Sequence, residues 1–267
     1  MSDTDIVTYE VANRVATISM NRPEEMNTWR PEMEESLRAA IKRADADDAV
    51  RAIVLTGKGR AFCAGASMQN LSKRAGNVLP KSHERVNGEF DQRYSYIFGI
   101  GKPVIAAING GVAGVGFCLT LYCDIRFMAE SAKLSTAFSQ RGLVAEHAAA
   151  WLLPRLIGPM NAADLLFSSR RVAGPEADKL GYARCLPDAG FLEAVQAYAG
   201  GLANYSSPRS LRLMKQQIWE SQYQTLVEAT HKSEDQIIEC RFSEDYKEGS
   251  AHYLENRAPN FTGKDPA

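Results

Sequence analysis

Two stretches of this 267-residue chain are rich in glycine and almost free of charge. Gly59-Arg-Ala-Phe-Cys-Ala-Gly-Ala-Ser-Met68 follows the apolar run Val50–Thr56. Ile108-Asn-Gly-Gly-Val-Ala-Gly-Val-Gly-Phe-Cys-Leu-Thr-Leu-Tyr-Cys-Asp124 continues the apolar run from Pro103. Such turns bring backbone close to something that a side chain would obstruct. Two turns, each leading from a strand into a helix, can aim main-chain N–H groups at one oxygen and stabilise an oxyanion without any charged residue. The same glycines also suit tight packing between crossovers, and on these residues alone both readings stand. A dinucleotide fingerprint is excluded because Gly114-Val-Gly116 lacks the third glycine, and the Walker lysine is missing as well.

Other residue types offer less. Cys118 lies near the start of an expected helix, where thiols are activated, but its surroundings, FCLTLYC, are apolar and suit inert packing. His83, His147, His231 and His252 show no metal-ligand spacing, and there is no GxSxG. The five cysteines form no CxxC pair, which gives neither a zinc site nor a disulfide framework and fits a reducing compartment. No metal is expected. A net charge of −1 gives the whole molecule no preference for nucleic acid or anionic membrane. The acidic start, MSDTDIVTYE, is not a targeting peptide, and a cytoplasmic location is expected. Pro103–Cys123 has the length of a membrane span, but its internal Asn-Gly-Gly divides it into a buried strand, a turn and a helix.

The positioning elements follow from periodicity. Val7, Tyr9 and Val11 alternate with polar residues, Ala12-Asn13-Arg14 is a turn, and Val15–Met20 alternates again. Pro31 suits a first helical position, opening a helix to about Asp47. Val50–Thr56 and Pro103–Ile108 are expected as buried strands, Ser82–Phe98 and Gly114–Tyr122 as helices, and Asp124–Met128 as a strand. Strands alternating with helices imply parallel pairing through right-handed crossovers. From about Glu146 the pattern is helical: Ala148–Leu153, Asn161–Phe167, Pro175–Leu180, Leu192–Ala203, Pro208–Glu220 and Leu226–Ile238 carry helical spacing. The expected architecture is an α/β core, residues 1–200, followed by a helical region, 201–267.

The segments NRPEEMN (Asn21–Asn27), GRAFCAGASM (Gly59–Met68), AINGGVAGVGFCLTLYCD (Ala107–Asp124) and AKLSTAFSQRGLVAEHAAAWLLPRLIG (Ala132–Gly158), in this order and spacing, resemble the crotonase, or enoyl-CoA hydratase/isomerase, superfamily. The resemblance implies a spiral of β-β-α turns with C-terminal helices that build trimers or dimers of trimers. It also implies an acyl-CoA thioester as substrate, with coenzyme A present only as part of that substrate and no separate cofactor. Carried over by position, the oxyanion donors are the amides of Ala66 and Val115. Ala64, Gly65, Ser67, Met68 and Gly114 border the thioester.

The resemblance also marks a departure. Hydratases of this family hold a water between two glutamates, and the corresponding positions here are Cys118 and Phe138. The segment Gly142-Leu-Val-Ala-Glu-His resembles the place where certain enoyl-CoA isomerases carry a single functional carboxylate, which makes Glu146 the implied acid/base, with His147 as the alternative. One base suffices to move a proton from C2 to C4 of an enoyl thioester. Glu146 is expected to begin a helix. Arg22, Lys58 and Arg60 are candidates for the phosphates of CoA, and the stretch Gln69–Tyr96 for the acyl pocket. The resulting expectation is a one-carboxylate isomerase. Its alternatives are a hydratase, hydrolase or lyase with relocated acid/base groups, and a non-catalytic acyl-CoA- or RNA-binding protein. The mixed charges of Glu34–Asp45 argue against RNA.

Overall fold

The computed structural model describes residues 5–67, 90 and 93–265. A hairpin opens the fold: β1 (Val7–Ala12) and β2 (Val15–Met20) pair antiparallel from Val7↔Met20 to Ala12↔Val15. Asn13 and Arg14 both take positive φ, 50° and 62°, as a two-residue turn with the right twist requires. Helix α1 (Pro31–Ala46) has Pro31 in its first turn and buries Met33, Leu37, Ile41 and Ala44, one stripe at helical spacing, against β1 and β2.

β3 (Ala52–Gly57), β5 (Val104–Ile108), β7 (Ile125–Ala129) and β10 (Arg184–Leu186) extend the hairpin into a six-stranded sheet of order β1-β2-β3-β5-β7-β10, parallel beyond the hairpin. Every residue of β2, β3 and β5 is buried, which fits parallel strands covered on both faces. After β3, β5 and β7 the chain enters β4 (Ala61–Cys63), β6 (Gly111–Ala113) and β8 (Lys133–Ser135). These pair in parallel in a second sheet that β9 (Val172–Ala173) completes antiparallel. Helix α2 (Val115–Leu121) follows β6 and is buried along its whole length. Pro103–Cys123 is thus a strand, turn, strand and short helix. Among the described residues no helix is long and apolar enough to cross a membrane.

The region after Glu146 holds more strand than its periodicity predicts. Helices α3 (Ala149–Ile157), α4 (Pro159–Ser168), α5 (Gly174–Lys179), α6 (Phe191–Tyr205), α7 (Pro208–Glu220) and α8 (Leu226–Cys240) match the expected helices to within a few residues. β9 and β10 lie between them, two- and three-residue strands too short to carry a period of 2. A further helix, α9 (Glu244–Leu254), has only Asp245 buried, and so little burial leaves no clear apolar stripe to read. The expected helix Ser82–Phe98 enters the described residues only at its end, where Ser95–Ile97 forms a single 3-10 turn. Most of the Gln69–Tyr96 stretch, and Met68, lie outside them.

Candidate active site

Asn27 organises the first glycine turn. It is fully buried, and its amide Nδ2 donates to the carbonyls of Lys58 (3.0 Å) and Ala61 (2.8 Å) while Oδ1 accepts from the Arg22 N–H (2.8 Å). The loop Asn21–Asn27 is thereby fastened to the connection from β3 to β4. Asn109 does the same for the second turn: Oδ1 accepts from the Gly57 N–H (3.1 Å) and Nδ2 donates to the Gly59 carbonyl (2.9 Å).

The turn after β4 is held from one side. The Ala64 N–H donates to Met26 O (3.1 Å), and the Trp29 N–H donates to Gly65 O (2.8 Å) within a parallel bridge between Trp29 and Ala66. In a trans peptide the carbonyl and the following N–H point in opposite directions. Fixing Gly65 O on Trp29 therefore turns the Ala66 N–H away from Trp29. The Val115 N–H is the first of helix α2 and has no intrahelical acceptor. Neither amide has a backbone acceptor among the described residues.

The two turns meet backbone to backbone. A Cβ on Gly65 would lie 2.8 Å from the Ala113 carbonyl oxygen and 3.6 Å from the Cα of Gly114. Gly65 has φ +85° and Gly114 φ +53°, conformations open to glycine at little cost. Ala66 and Val115 each follow one of these closely approaching glycines, so their main chains lie near each other. Gly65 is buried, Ala64, Ala66, Ser67 and Gly114 are partly exposed, and the Val115 side chain is packed in the core. The branched side chain of Val115 therefore leaves its amide open.

Glu146 does not begin a helix. His147 and Ala148 take left-handed φ of 49° and 56°, and α3 starts only at Ala149, with the Ala149 N–H bonded to Glu146 O (2.9 Å). Non-glycine residues in that conformation need surrounding structure to hold them. Helix α2 supplies it. The Cys118 thiol donates to the Glu146 carbonyl (3.5 Å), and the Tyr122 hydroxyl donates to the His147 carbonyl (2.9 Å). Cys118 and Tyr122 are four apart on one helix face, so together they grip consecutive carbonyls. Cys118 is also three residues beyond Val115, one turn or about 5 Å along the axis. The main chain of Glu146, whose side chain is 38% exposed, is thus tied through its carbonyl to α2.

At the two positions where hydratases carry glutamate, no carboxylate is present. Cys118 is completely buried, and burial, followed by the nearby Glu146 charge, pushes its thiol well above the usual range. It is held as a neutral thiol against the Glu146 carbonyl. Phe138 is buried in the core, with its carbonyl accepting from Arg141 and Leu143. Among the described residues no group of three or more His, Cys, Asp or Glu could hold a metal ion.

His147, the alternative acid/base, has its ring edge-on to Tyr94 with centroids 4.9 Å apart and its Nε2 4.0 Å from Glu146 Oε2. Burial, with Arg93 nearby, holds its pKa down to about 4, so the ring is neutral at pH 7. Between pH 6.5 and 4 the unfolded chain takes up a proton there that the folded chain refuses. The stability His147 contributes is complete above pH 6.5 and is lost as pH falls to about 4, by at most about 3 kcal/mol. Urea midpoints at pH 7 and pH 4.5 check this. His147→Gln is expected to lose less stability over that interval than the wild type, and an equal loss would contradict it.

Residues that no spacing rule connects complete the surroundings. Trp29 lies edge-on to Tyr94 at 5.9 Å, and its Nε1 donates to Glu34 (3.2 Å), which is ion-paired to Arg93. Burial opposes the Glu34 charge, but Arg93 outweighs it and holds the carboxyl below its ordinary range. Of the phosphate candidates, Arg22 is engaged by Glu24 and Glu25, Lys58 stands 3.9 Å from Glu10, and Arg60 is exposed at the first turn.

Comparison with known proteins bears on the same features. The family model described as enoyl-CoA hydratase/isomerase matches residues 10–264. The chain is similar to 1,2-epoxyphenylacetyl-CoA isomerase of Escherichia coli, 32% identical over 97% of this chain and 99% of that one. It is also similar to a probable enoyl-CoA hydratase of Rhodobacter capsulatus, 32% identical over 97% and 98%. A crystal structure of an enoyl-CoA hydratase from Bacillus anthracis superposes with a TM-score of 0.83 at 28% identity, covering 97% of this chain and 100% of that one. Relatives named isomerase and hydratase are thus similar to this chain along nearly its whole length. With the match running along both sheets and the C-terminal helices, this chain belongs to the enoyl-CoA hydratase/isomerase family and is an acyl-CoA-processing enzyme of the crotonase fold.

Proposed function

We propose that this enzyme moves a carbon–carbon double bond in an enoyl-CoA thioester, using Glu146 as its single acid/base. The thioester oxygen sits between the amides of Ala66 and Val115, with Ala64, Gly65, Ser67 and Gly114 along the thioester. Glu146 takes a proton from C2, the negative charge moves onto the oxygen held by the two amides, and Glu146 returns the proton at C4. No water enters and no electron acceptor is needed. Coenzyme A takes part only as the carrier of the acyl group, and its phosphates are placed near Lys58 and Arg60.

One observation carries the reading: the Glu146 turn is clamped to α2 through Cys118, the position at which a two-carboxylate hydratase would carry its first glutamate. The group that would help to activate water has become the support of a lone base. Hydration through relocated groups is the second reading, favoured by the name of the Rhodobacter relative.

Incubation with 3-enoyl- and 2-enoyl-CoA in D₂O separates the two. Interconversion with deuterium at C2 or C4 and no 3-hydroxyacyl product is expected. Rapid hydration of 2-enoyl-CoA that survives Glu146→Gln would overturn the proposal.

A homotrimer or dimer of trimers, located in the cytoplasm and with no role in nucleic-acid binding, completes the proposal. Leu226, Val227, Phe242, Tyr253 and Leu254 of the C-terminal region are each more than half exposed, an apolar surface that a single chain leaves open to water.

A further inference from the structure

Tyr94 is 3% exposed, and its hydroxyl has no hydrogen-bond partner among the described residues. Buried hydroxyls are almost always paired, so an orphan calls for an explanation. Two other hydroxyls share this condition, those of Thr8 and Tyr9, and both lie on β1 at the edge of the large sheet. Tyr94 instead packs between the residues that hold the two turns of the candidate site. Its ring is 5.9 Å from that of Trp29, which fixes the Ala66 turn. It is 4.9 Å from that of His147 and 6.0 Å from that of Tyr122, which hold the Glu146 turn. Tyr94 also has the Arg93 guanidinium, itself paired with Glu34, 5.2 Å from its ring centre. Burial pushes its acidity well below that of an ordinary phenol, so it is a proton-bearing donor and not a base.

A donor in this place needs an acceptor, and the thioester oxygen is already served by two amides in the proposed site. A hydrocarbon chain offers none. We infer that the Tyr94 hydroxyl is a specificity-determining group that hydrogen-bonds an oxygen function (hydroxyl, ether, epoxide or ketone) on the acyl chain beyond the thioester. The enzyme is thus selective for oxygenated acyl-CoA substrates. The inference rests on the proposed placement of the thioester, and it names the substrate class of that site.

Titration with hexanoyl-CoA and its 5- and 6-hydroxy derivatives reads affinity without any reaction. The same comparison with the 3-hexenoyl series reads kcat/KM. In the wild type at least one hydroxylated compound is expected to be preferred about tenfold over the plain chain, the value of one added hydrogen bond. In Tyr94→Phe, which keeps the ring and its packing, that ratio falls to about one. No preference in the wild type, or a preference that persists in Tyr94→Phe, overturns the inference. Preference in binding without double-bond movement sinks the isomerase reading and leaves this one standing. Double-bond movement without preference does the reverse.

Discussion

Glu146→Gln is expected to lower kcat for double-bond movement by about 10²–10⁴-fold, the range for removing a general acid/base. KM should change little. The amide has nearly the shape of the carboxylate, and the main-chain carbonyl of this residue is held by the Cys118 thiol and the Ala149 N–H. The substitution therefore removes the base and leaves the turn in place. Its neighbour is poorly equipped to replace it. His147 is neutral at pH 7, but a pKa of about 4 makes it a weak proton acceptor, and its carbonyl is bound to Tyr122. Stopped assays of 3-enoyl-CoA conversion check the prediction. A variant that retains near wild-type kcat would transfer the role to His147 or to a residue elsewhere.

Ala66→Pro is expected to cost about 10²–10³-fold in kcat, the usual price of one oxyanion donor. Proline removes the N–H without introducing charge. The Trp29 N–H can still donate to Gly65 O, because that bond uses the carbonyl of the preceding residue. Ala66→Ser keeps the donor and serves as the control, and a thermal melt on each variant separates lost chemistry from lost fold. If Ala66→Pro folds and turns over as fast as Ala66→Ser, the amide does not bind the thioester oxygen.

Much of the proposed site is legible because its proposed donors belong to the backbone, and backbone demands leave a mark in sequence. The glycines at 65 and 114 announced a close approach, and the structure shows what approaches: each other. The Asn13-Arg14 hairpin and the Pro31 helix start were readable for the same local reason. Glu146 was legible only through resemblance, and its setting was misread. A left-handed pair at His147 and Ala148 has no glycine to signal it, so the segment passed for the first turn of a helix. The short strands β4, β6, β8, β9 and β10 escaped because two or three residues cannot express a period. Trp29 escaped for a different reason, while Arg93 and Tyr94 fall in the stretch Gln69–Tyr96 that is assigned to the acyl pocket only as a whole. Trp29 and Tyr94 come from separate parts of the chain, and only the tertiary fold sets Tyr94 against both Trp29 and His147. The same is true of Cys118: its apolar neighbours correctly suggested packing, but not that its thiol supports the loop bearing the carboxylate.

The central claim is that Glu146 exchanges a proton at C2 of a thioester whose enolate oxygen is held by two amides. Saturated hexanoyl-CoA in D₂O isolates that step, since it has no double bond to move or hydrate. Proton NMR of the C2 methylene is predicted to show progressive deuterium entry with the wild type and entry slowed at least about 10²-fold with Glu146→Gln. Exchange at an undiminished rate in Glu146→Gln would contradict the account.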